Sequence, residues 1–168
     1  MKVYKFLFNH LDQKNPQDNN GRTPLHQAAQ EGHLEVCIFM CNNLDQKNPR
    51  DTDNWTPLHL ASRNGHLEIC KSIIMHVGDE HPAGNSGITP LHLAAREGYF
   101  EICKLLIENL DNKNPECNSG WTPFLYAAEY GHLGICKLLM ENFDDKNPAN
   151  ERNHRAVVSL LRLAQIRD

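Results

Sequence analysis

The chain has few of the features that mark membrane-inserted, secreted or nucleic-acid-binding proteins. Its 168 residues contain no run of about 18 apolar residues, so we expect no membrane insertion. The apolar stretch after the basic start of residues 1–8 is too short for a secretory signal. Lys and Arg number 17 against 21 Asp and Glu, a formal net charge of −4. Because nucleic-acid binding normally needs an excess of basic residues, we expect no nucleic-acid partner.

The sequence also lacks a recognisable catalytic constellation. No acid–base pair, phosphate loop, nucleophile elbow or Cys-x-x-Cys motif stands out, so we expect neither an enzyme nor a cofactor. Metal ligands must converge on the ion at distances of about 2 Å. Six of the ten histidines instead recur along the chain at two equivalent positions, which argues against a metal site. They are His26, His33, His59, His66, His92 and His132.

One segment of the chain repeats at a constant step. The dipeptide Thr-Pro occurs four times, each 33 residues after the last, with its threonines at Thr23, Thr56, Thr89 and Thr122. The same step relates Cys37, Cys70, Cys103 and Cys136, and also Pro16, Pro49, Pro82, Pro115 and Pro148. A repeated unit builds an extended surface from stacked copies, whereas a catalytic centre needs unlike residues brought together. The repeat therefore indicates a binding protein.

Each copy predicts a turn followed by two antiparallel helices. In the second copy Thr56 suits a helix N-cap, and Pro57 suits the first helical position, where its missing N–H costs nothing. Asn54 stands where the other copies carry glycine, a position that favours positive φ. Apolar residues at spacings of three and four predict a longer helix from about His66 to His76. Since neither helix could bury its apolar face alone, we expect an all-α solenoid of stacked helix pairs joined by turn or hairpin-like loops.

The repeated motif resembles the ankyrin repeat, whose core signature is Thr-Pro-Leu-His-x-Ala-Ala-x-x-Gly-His in a unit of 33 residues. Residues 23–33 and 56–66 fit this signature, with Ser62 for the second alanine. Residues 89–99 lack the final histidine, and residues 122–132 begin Thr-Pro-Phe-Leu-Tyr-Ala-Ala. The resemblance implies that first-helix histidines form hydrogen bonds within and between repeats. It also implies that partner proteins bind the turn tips and the exposed face of the first helix.

The 33-residue step sets the expected boundaries of a single domain, residues 1–168. We expect a partial repeat with the second helix alone, four full repeats and a polar-backed capping helix, at 1–17, 18–50, 51–83, 84–116, 117–149 and 150–168. We expect a monomer. The aromatic residues of the N-terminal face, Tyr4, Phe6 and Phe8, offer a route to self-association.

The cysteines predict a reducing, intracellular compartment, and we take the cytoplasm as the expectation. Equivalent residues in stacked helix pairs lie roughly 10 Å apart, whereas a disulfide needs Cα atoms within about 7 Å. The four recurring cysteines therefore cannot pair, and we expect them to be buried as small apolar residues. Cys117 lies at a predicted loop tip, so we expect it to be the exposed, reactive thiol.

Partner contacts are predicted where the copies differ, because the stack does not require a residue that varies. One such position, directly before Thr-Pro, carries Arg, Trp, Ile and Trp in the four repeats. Others lie at the ends of the first helices. Trp, Tyr and Arg dominate the hot spots of protein interfaces. The predicted partner-binding residues are Arg22, Trp55, Arg63, Ile88, Arg96, Trp121 and Tyr130.

Two functions fit this pattern. The first is a non-enzymatic protein–protein interaction module that binds a partner of unknown identity through the turn tips and concave face. The second is a structural spacer within a longer array or multidomain protein whose activity lies elsewhere. A tryptophan before Thr-Pro that packs on the neighbouring turn would favour a structural role for that residue.

Overall fold

The computed structural model of the chain describes residues 8, 10, 15–77, 83–109, 112–142 and 155. Within these ranges the regular structure is helical and contains no strand, which confirms the predicted all-α class. The chain divides into two compact units, Met1–Asn85 and Ser86–Asp168. Tyr4, Phe6 and nearly all of the predicted capping helix lie outside the described residues. In the part of the chain described, no helix is both long enough and apolar enough to cross a membrane.

Each unit contains two pairs of helices among its described residues, and in each pair a short helix precedes a longer one. The first unit has α1 (Pro24–Gln30), α2 (Leu34–Asn43), α3 (Pro57–Arg63) and α4 (Leu67–Val77). The second has α5 (Pro90–Glu97), α6 (Phe100–Glu108), α7 (Pro123–Glu129) and α8 (Leu133–Glu141). First helices pack on first helices and second on second, α1 on α3 and α2 on α4, then α5 on α7 and α6 on α8. Among the described residues, each unit thus contains a stack of two helix pairs.

Threonine, proline and histidine together begin the short helices. Thr56 is the N-cap of α3 and Pro57 its first residue, as predicted. The Thr56 backbone N–H donates to Nδ1 of His59 at 3.1 Å, and its Oγ1 lies 2.9 Å from the same nitrogen. The histidine three residues after the cap thereby satisfies a backbone donor that the helix leaves open. In α7, where Leu125 replaces the histidine, Thr122 Oγ1 accepts the Leu125 N–H at 3.3 Å.

The turns that precede the short helices are joined along each stack by backbone hydrogen bonds. The Thr52 N–H donates to the Asn20 carbonyl at 3.0 Å, and the Asn85 N–H to the Asp53 carbonyl at 2.9 Å. Asn54 has φ of 60°, which confirms the prediction of positive φ at this position. Its side-chain amide donates to Asn85 Oδ1 at 2.6 Å, so asparagine replaces glycine here and adds a link between turns.

Apolar residues from both helices of each pair form the core. Leu25, Met40, Leu58 and Ile73 are fully buried in the first unit, and Leu91, Leu106, Phe124 and Leu139 in the second. The cysteines belong to these cores. All six are reduced and buried, and burial raises the pKa of Cys37, Cys70 and Cys103 to about 12. The prediction that the recurring cysteines are buried, unpaired residues is confirmed.

The prediction of an exposed Cys117 is wrong. Its backbone N–H donates to the Trp121 carbonyl at 2.8 Å, so Cys117 starts the turn, and Asn118 and Ser119 form the exposed tip. The side chain points inward, with Sγ 3.1 Å from Ser119 Oγ, and the residue is buried. In the second repeat Asp51 holds the equivalent inward position and accepts backbone N–H groups of its own turn. The site is therefore a turn-closing position rather than a loop tip.

Candidate functional site

The seven predicted partner-binding residues occupy two kinds of position in the fold. Arg22, Trp55, Ile88 and Trp121 each precede the N-cap threonine of a short helix. Arg63 and Arg96 lie in the last turn of α3 and α5, and Tyr130 follows α7 as its C-cap. Within a repeat, the two kinds of position lie at opposite ends of one seven- or eight-residue helix.

Arg22 is engaged within the first unit. Its Nε lies 3.4 Å from Asp51 Oδ2 in the next turn, and its Nη1 donates to Gln30 Oε1 at 3.3 Å. The Asp51 carboxylate is nearly fully buried and also accepts the N–H groups of Asp53 and Trp55 at 3.0 and 2.8 Å. Arg22 thus neutralises a buried carboxylate that holds the second turn, which gives it a structural task.

Trp55 is half-buried between its own repeat and the next turn. Its ring stacks on His59 with centroids 5.7 Å apart, and a Cβ added to Gly84 would lie 2.9 Å from the indole. This packing against the following turn is the structural role that the sequence left open for such a tryptophan. The structure also brings Arg63 to it, since the guanidinium carbon lies 5.7 Å from the ring centre. The two predicted residues therefore form one cation–π pair.

Trp121 lies in a different environment in the second unit. Its ring centre is 5.0 Å from that of Tyr126, which in turn meets His92 edge-on at 5.9 Å. Trp121 and Tyr126 are half-buried, whereas Tyr130 at the end of the same helix is 58% exposed. Glu129, at the position equivalent to Arg63, is exposed. The fourth repeat therefore presents the Trp121–Tyr126 aromatic pair, with exposed Glu129 and Tyr130 at the end of the same helix.

The two remaining predicted residues of the second unit, Ile88 and Arg96, are less available for contact with a partner protein. The guanidinium of Arg96 donates from Nε and Nη2 to Glu97 Oε1 at 2.9 and 2.6 Å, so its charge is already paired. Ile88 is half-buried. Arg96 also acts electrostatically on Tyr126, whose ring centre lies 5.0 Å from that of Trp121.

The first-helix histidines His26 and His92 are neutral links between repeats rather than acid–base groups. A backbone N–H can only donate, so the Thr89 N–H, 3.1 Å from His92 Nδ1, requires that nitrogen to carry no hydrogen. The imidazole hydrogen therefore lies on Nε2, which donates to the Trp121 carbonyl at 3.1 Å. Burial lowers the pKa of His92 to about 4. His26 makes the same bonds to Thr23 and Trp55, and burial likewise lowers its pKa.

Not every side chain that shapes this surface was identified from the sequence. Tyr126 was not identified. The available signal was that Tyr126 stands where the two preceding repeats carry Leu60 and Leu93. The histidines that open the second helices also join repeats. His66 Nε2 bonds the Gln30 carbonyl at 3.1 Å, and His132 Nε2 bonds the Arg96 carbonyl at 3.0 Å. Among the described residues no three His, Cys, Asp or Glu side chains converge as a metal site would require.

Comparison with protein families supports the repeat architecture. A family model described as ankyrin repeats (3 copies) matches residues 2–82 and, again, residues 76–150. The two matches together span most of the chain and include every residue discussed above for the two stacks. No curated protein is significantly similar to the chain.

Proposed function

Because the chain belongs to the ankyrin-repeat family, whose repeats are generally protein–protein interaction modules, we propose that it binds a partner protein without catalysis. The proposed contact surface consists of the turn residues before Thr-Pro and the ends of the first helices. We further propose one domain of four full repeats that acts as a monomer inside the cell, in the cytoplasm.

The observation that carries this proposal is the aromatic surface of the fourth repeat. Tyr130 is 58% exposed although it is a large aromatic residue, and half-buried Trp121 and Tyr126 lie in the same repeat. Aromatic residues of this kind supply large contact areas at low cost in side-chain entropy. The repeat signature does not account for Tyr130, because equivalent positions carry Asn64 and Glu97. Its exposure is therefore best explained by a contact with another protein.

Hydrogen bonds hold the backbone beneath this surface. The Trp121 carbonyl accepts hydrogen bonds from His92 Nε2 and from the Cys117 N–H, which fix the backbone of the turn. Tyr130 follows α7, whose last turn closes when the Tyr130 N–H donates to the Tyr126 carbonyl at 3.1 Å. Binding would then order few additional groups, which lowers the entropic cost of association.

We propose different roles for the seven residues. Trp121 and Tyr130 act as anchors in the second unit. In the first unit Arg63 forms a separate contact, and Trp55, packed on the following turn, supports its guanidinium. Ile88 supplies apolar area beside the turns. Because Arg22 and Arg96 already have internal partners, we expect them to contribute less to affinity and more to the shape of the surface.

The test is an affinity measurement with a partner isolated by the intact chain and then purified. Tyr130→Ala and Trp121→Ala should each raise the Kd, Tyr130→Ala by about ten-fold or more if Tyr130 is a hot spot. Met75→Ala is the matched control, because Met75 is 80% exposed on α4, outside the proposed surface, and should leave the Kd unchanged. Unfolding temperatures of all variants separate lost contacts from lost stability. A Kd that responds to Met75 and ignores both aromatics would refute the proposed surface, and failure to isolate any partner would favour the spacer.

A further inference from the structure

The second and fourth repeats place a tryptophan at the same position but surround it differently. In the second repeat the Arg63 guanidinium lies 5.7 Å from the centre of the Trp55 ring, within the range of a cation–π contact. In the fourth repeat the residue equivalent to Arg63 is Glu129. Across the described residues, no cation lies over the Trp121 ring and no ion pair holds the exposed Glu129 carboxylate. In the part of the chain that the structure describes, Trp121 thus lacks a cation such as the one over Trp55.

The surroundings of Trp121 favour a positive charge. The π faces of aromatic rings are negative, and Tyr126 lies 5.0 Å from Trp121, with exposed Tyr130 one turn further along the chain. Arg96 is the cation that acts on Tyr126, but its guanidinium is held by Glu97 at 2.6 Å, so that pair carries no net charge. Among the described residues, the exposed Glu129 carboxylate therefore has no ion-pair partner and adds a negative charge to the fourth repeat.

We propose that Trp121, Tyr130 and Glu129 bind a cationic side chain of the partner protein, an arginine or a lysine. That side chain takes the place over Trp121 that Arg63 takes over Trp55 in the second repeat. The proposal rests on the protein-binding function proposed above and specifies its chemistry. The ring attracts the cation through its face, and the carboxylate supplies the opposite charge.

Other partner chemistries fit this site less well. An acidic segment would be repelled by Glu129. An apolar side chain would cover the carboxylate without a counter-charge and so incur its desolvation cost. A cationic side chain avoids both penalties, because its stem can lie along the rings while its charged end meets the carboxylate.

The first test uses the two tryptophans as separate reporters in one chain. The sequence contains two tryptophans, so the 15N-labelled protein gives two indole signals, which Trp55→Phe and Trp121→Phe assign. The probes are tripeptides, acetyl-Gly-X-Gly-amide with X as Arg, Lys, Gln or Glu, titrated at constant ionic strength. The Arg and Lys probes should shift the Trp121 signal saturably, whereas Gln and Glu should not. The Trp55 signal should respond several-fold less, because Arg63 already lies over that ring.

The second test exchanges the charges between the two repeats. Glu129→Gln should raise the Kd of the Arg and Lys probes by about three-fold. Glu129→Arg should abolish the response of Trp121, because it supplies the cation from within the chain. Arg63→Glu is the converse variant and should make the Trp55 signal respond as Trp121 does. Equal responses of both tryptophans in the unmodified chain, an unaltered response in Glu129→Arg, or an equal effect of the Gln probe would overturn the proposal.

The two proposals fail in different ways. A partner whose Kd depends on Tyr130 while the Arg and Lys probes leave Trp121 unshifted refutes the cationic preference and supports protein binding. A partner whose Kd is unaffected by Trp121→Ala and Tyr130→Ala refutes the proposed surface itself. Circular dichroism of each variant confirms that the helices are retained before either outcome is scored.

Discussion

Acidification is expected to destabilise the second unit through His92, whose imidazole must remain neutral to hold its hydrogen bonds. Nδ1 accepts the Thr89 N–H at 3.1 Å, and Nε2 donates to the Trp121 carbonyl at 3.1 Å. A proton on Nδ1 would face the backbone N–H, and the charged ring would be 1% exposed. Burial accordingly lowers the pKa of His92 from 6.5 to about 4. At mildly acidic pH the unfolded chain therefore binds a proton at His92, whereas the folded chain does not.

The sign and size of the effect follow from this difference in pKa. Above about pH 6.5 both states are neutral at His92 and stability does not depend on its titration. As the pH falls from about 6.5 to about 4, the unfolded state gains the proton and the folded state loses stability. At pH 5 the loss from His92 alone is about 2 kcal/mol, and it levels off near 3 kcal/mol below pH 4. His26, whose pKa burial also lowers, adds to the trend in the first unit.

The assay is urea unfolding of the intact chain at a series of pH values, followed by circular dichroism. His92→Leu is the matched control, because the fourth repeat carries Leu125 at the equivalent position. The variant should be less stable at neutral pH, since it removes the bond to the Trp121 carbonyl. Its free energy of unfolding should fall by about 2 kcal/mol less between pH 7.5 and pH 5 than that of the unmodified chain. Identical pH dependences would refute the assignment of a neutral, hydrogen-bonded His92.

Two further predictions concern a glycine substitution and the reactivity of the cysteines. Gly98→Ala should destabilise the chain by about 1–3 kcal/mol in urea unfolding, because φ is +86° and a new Cβ would lie 2.6 Å from the His132 ring. Gly134→Ala is its control and should be neutral or stabilising by up to about 1 kcal/mol, since the new Cβ meets the Phe100 ring at an ordinary 3.7 Å; equal losses would contradict this reasoning. Ellman's reagent should label the native protein slowly at every cysteine, including Cys117, because all six are buried. If the unmodified chain is labelled rapidly and Cys117→Ser is not, the burial of Cys117 is contradicted. If both proteins are labelled rapidly, the accessible thiol is a different cysteine.

Features set by a few neighbouring residues could be predicted from the sequence. Thr56 and Pro57 begin α3 because cap and first-turn preferences act over one helical turn. Asn54 has positive φ because the turn geometry limits which residues fit there. The constant 33-residue step then carries these features from one repeat to the next, so the helical class follows from the same evidence. The boundaries of the repeats and of the single domain stay predictions.

Features that depend on contacts across a stack could not be predicted in the same way. Cys117 is buried because it starts its turn rather than forming the tip, and this turn packs on the preceding one, where a Cβ added to Gly87 would lie 3.0 Å from the Cys117 Cα. Arg22 varies between repeats, which suggested a free surface residue, yet it pairs with buried Asp51. A residue that differs between repeats is therefore not required by the repeat signature. Whether it can contact a partner depends on its contacts with the neighbouring turn.

The central claim is that the turn and first-helix ends of the fourth repeat contact the partner. The most direct measurement is a footprint by amide and indole chemical-shift changes when the purified partner is added to the labelled chain. We predict the largest changes at Trp121, Glu129 and Tyr130, and little change along the exposed side of α8 near Met140. Changes confined to α8, with Trp121 and Tyr130 unaffected, would contradict the account.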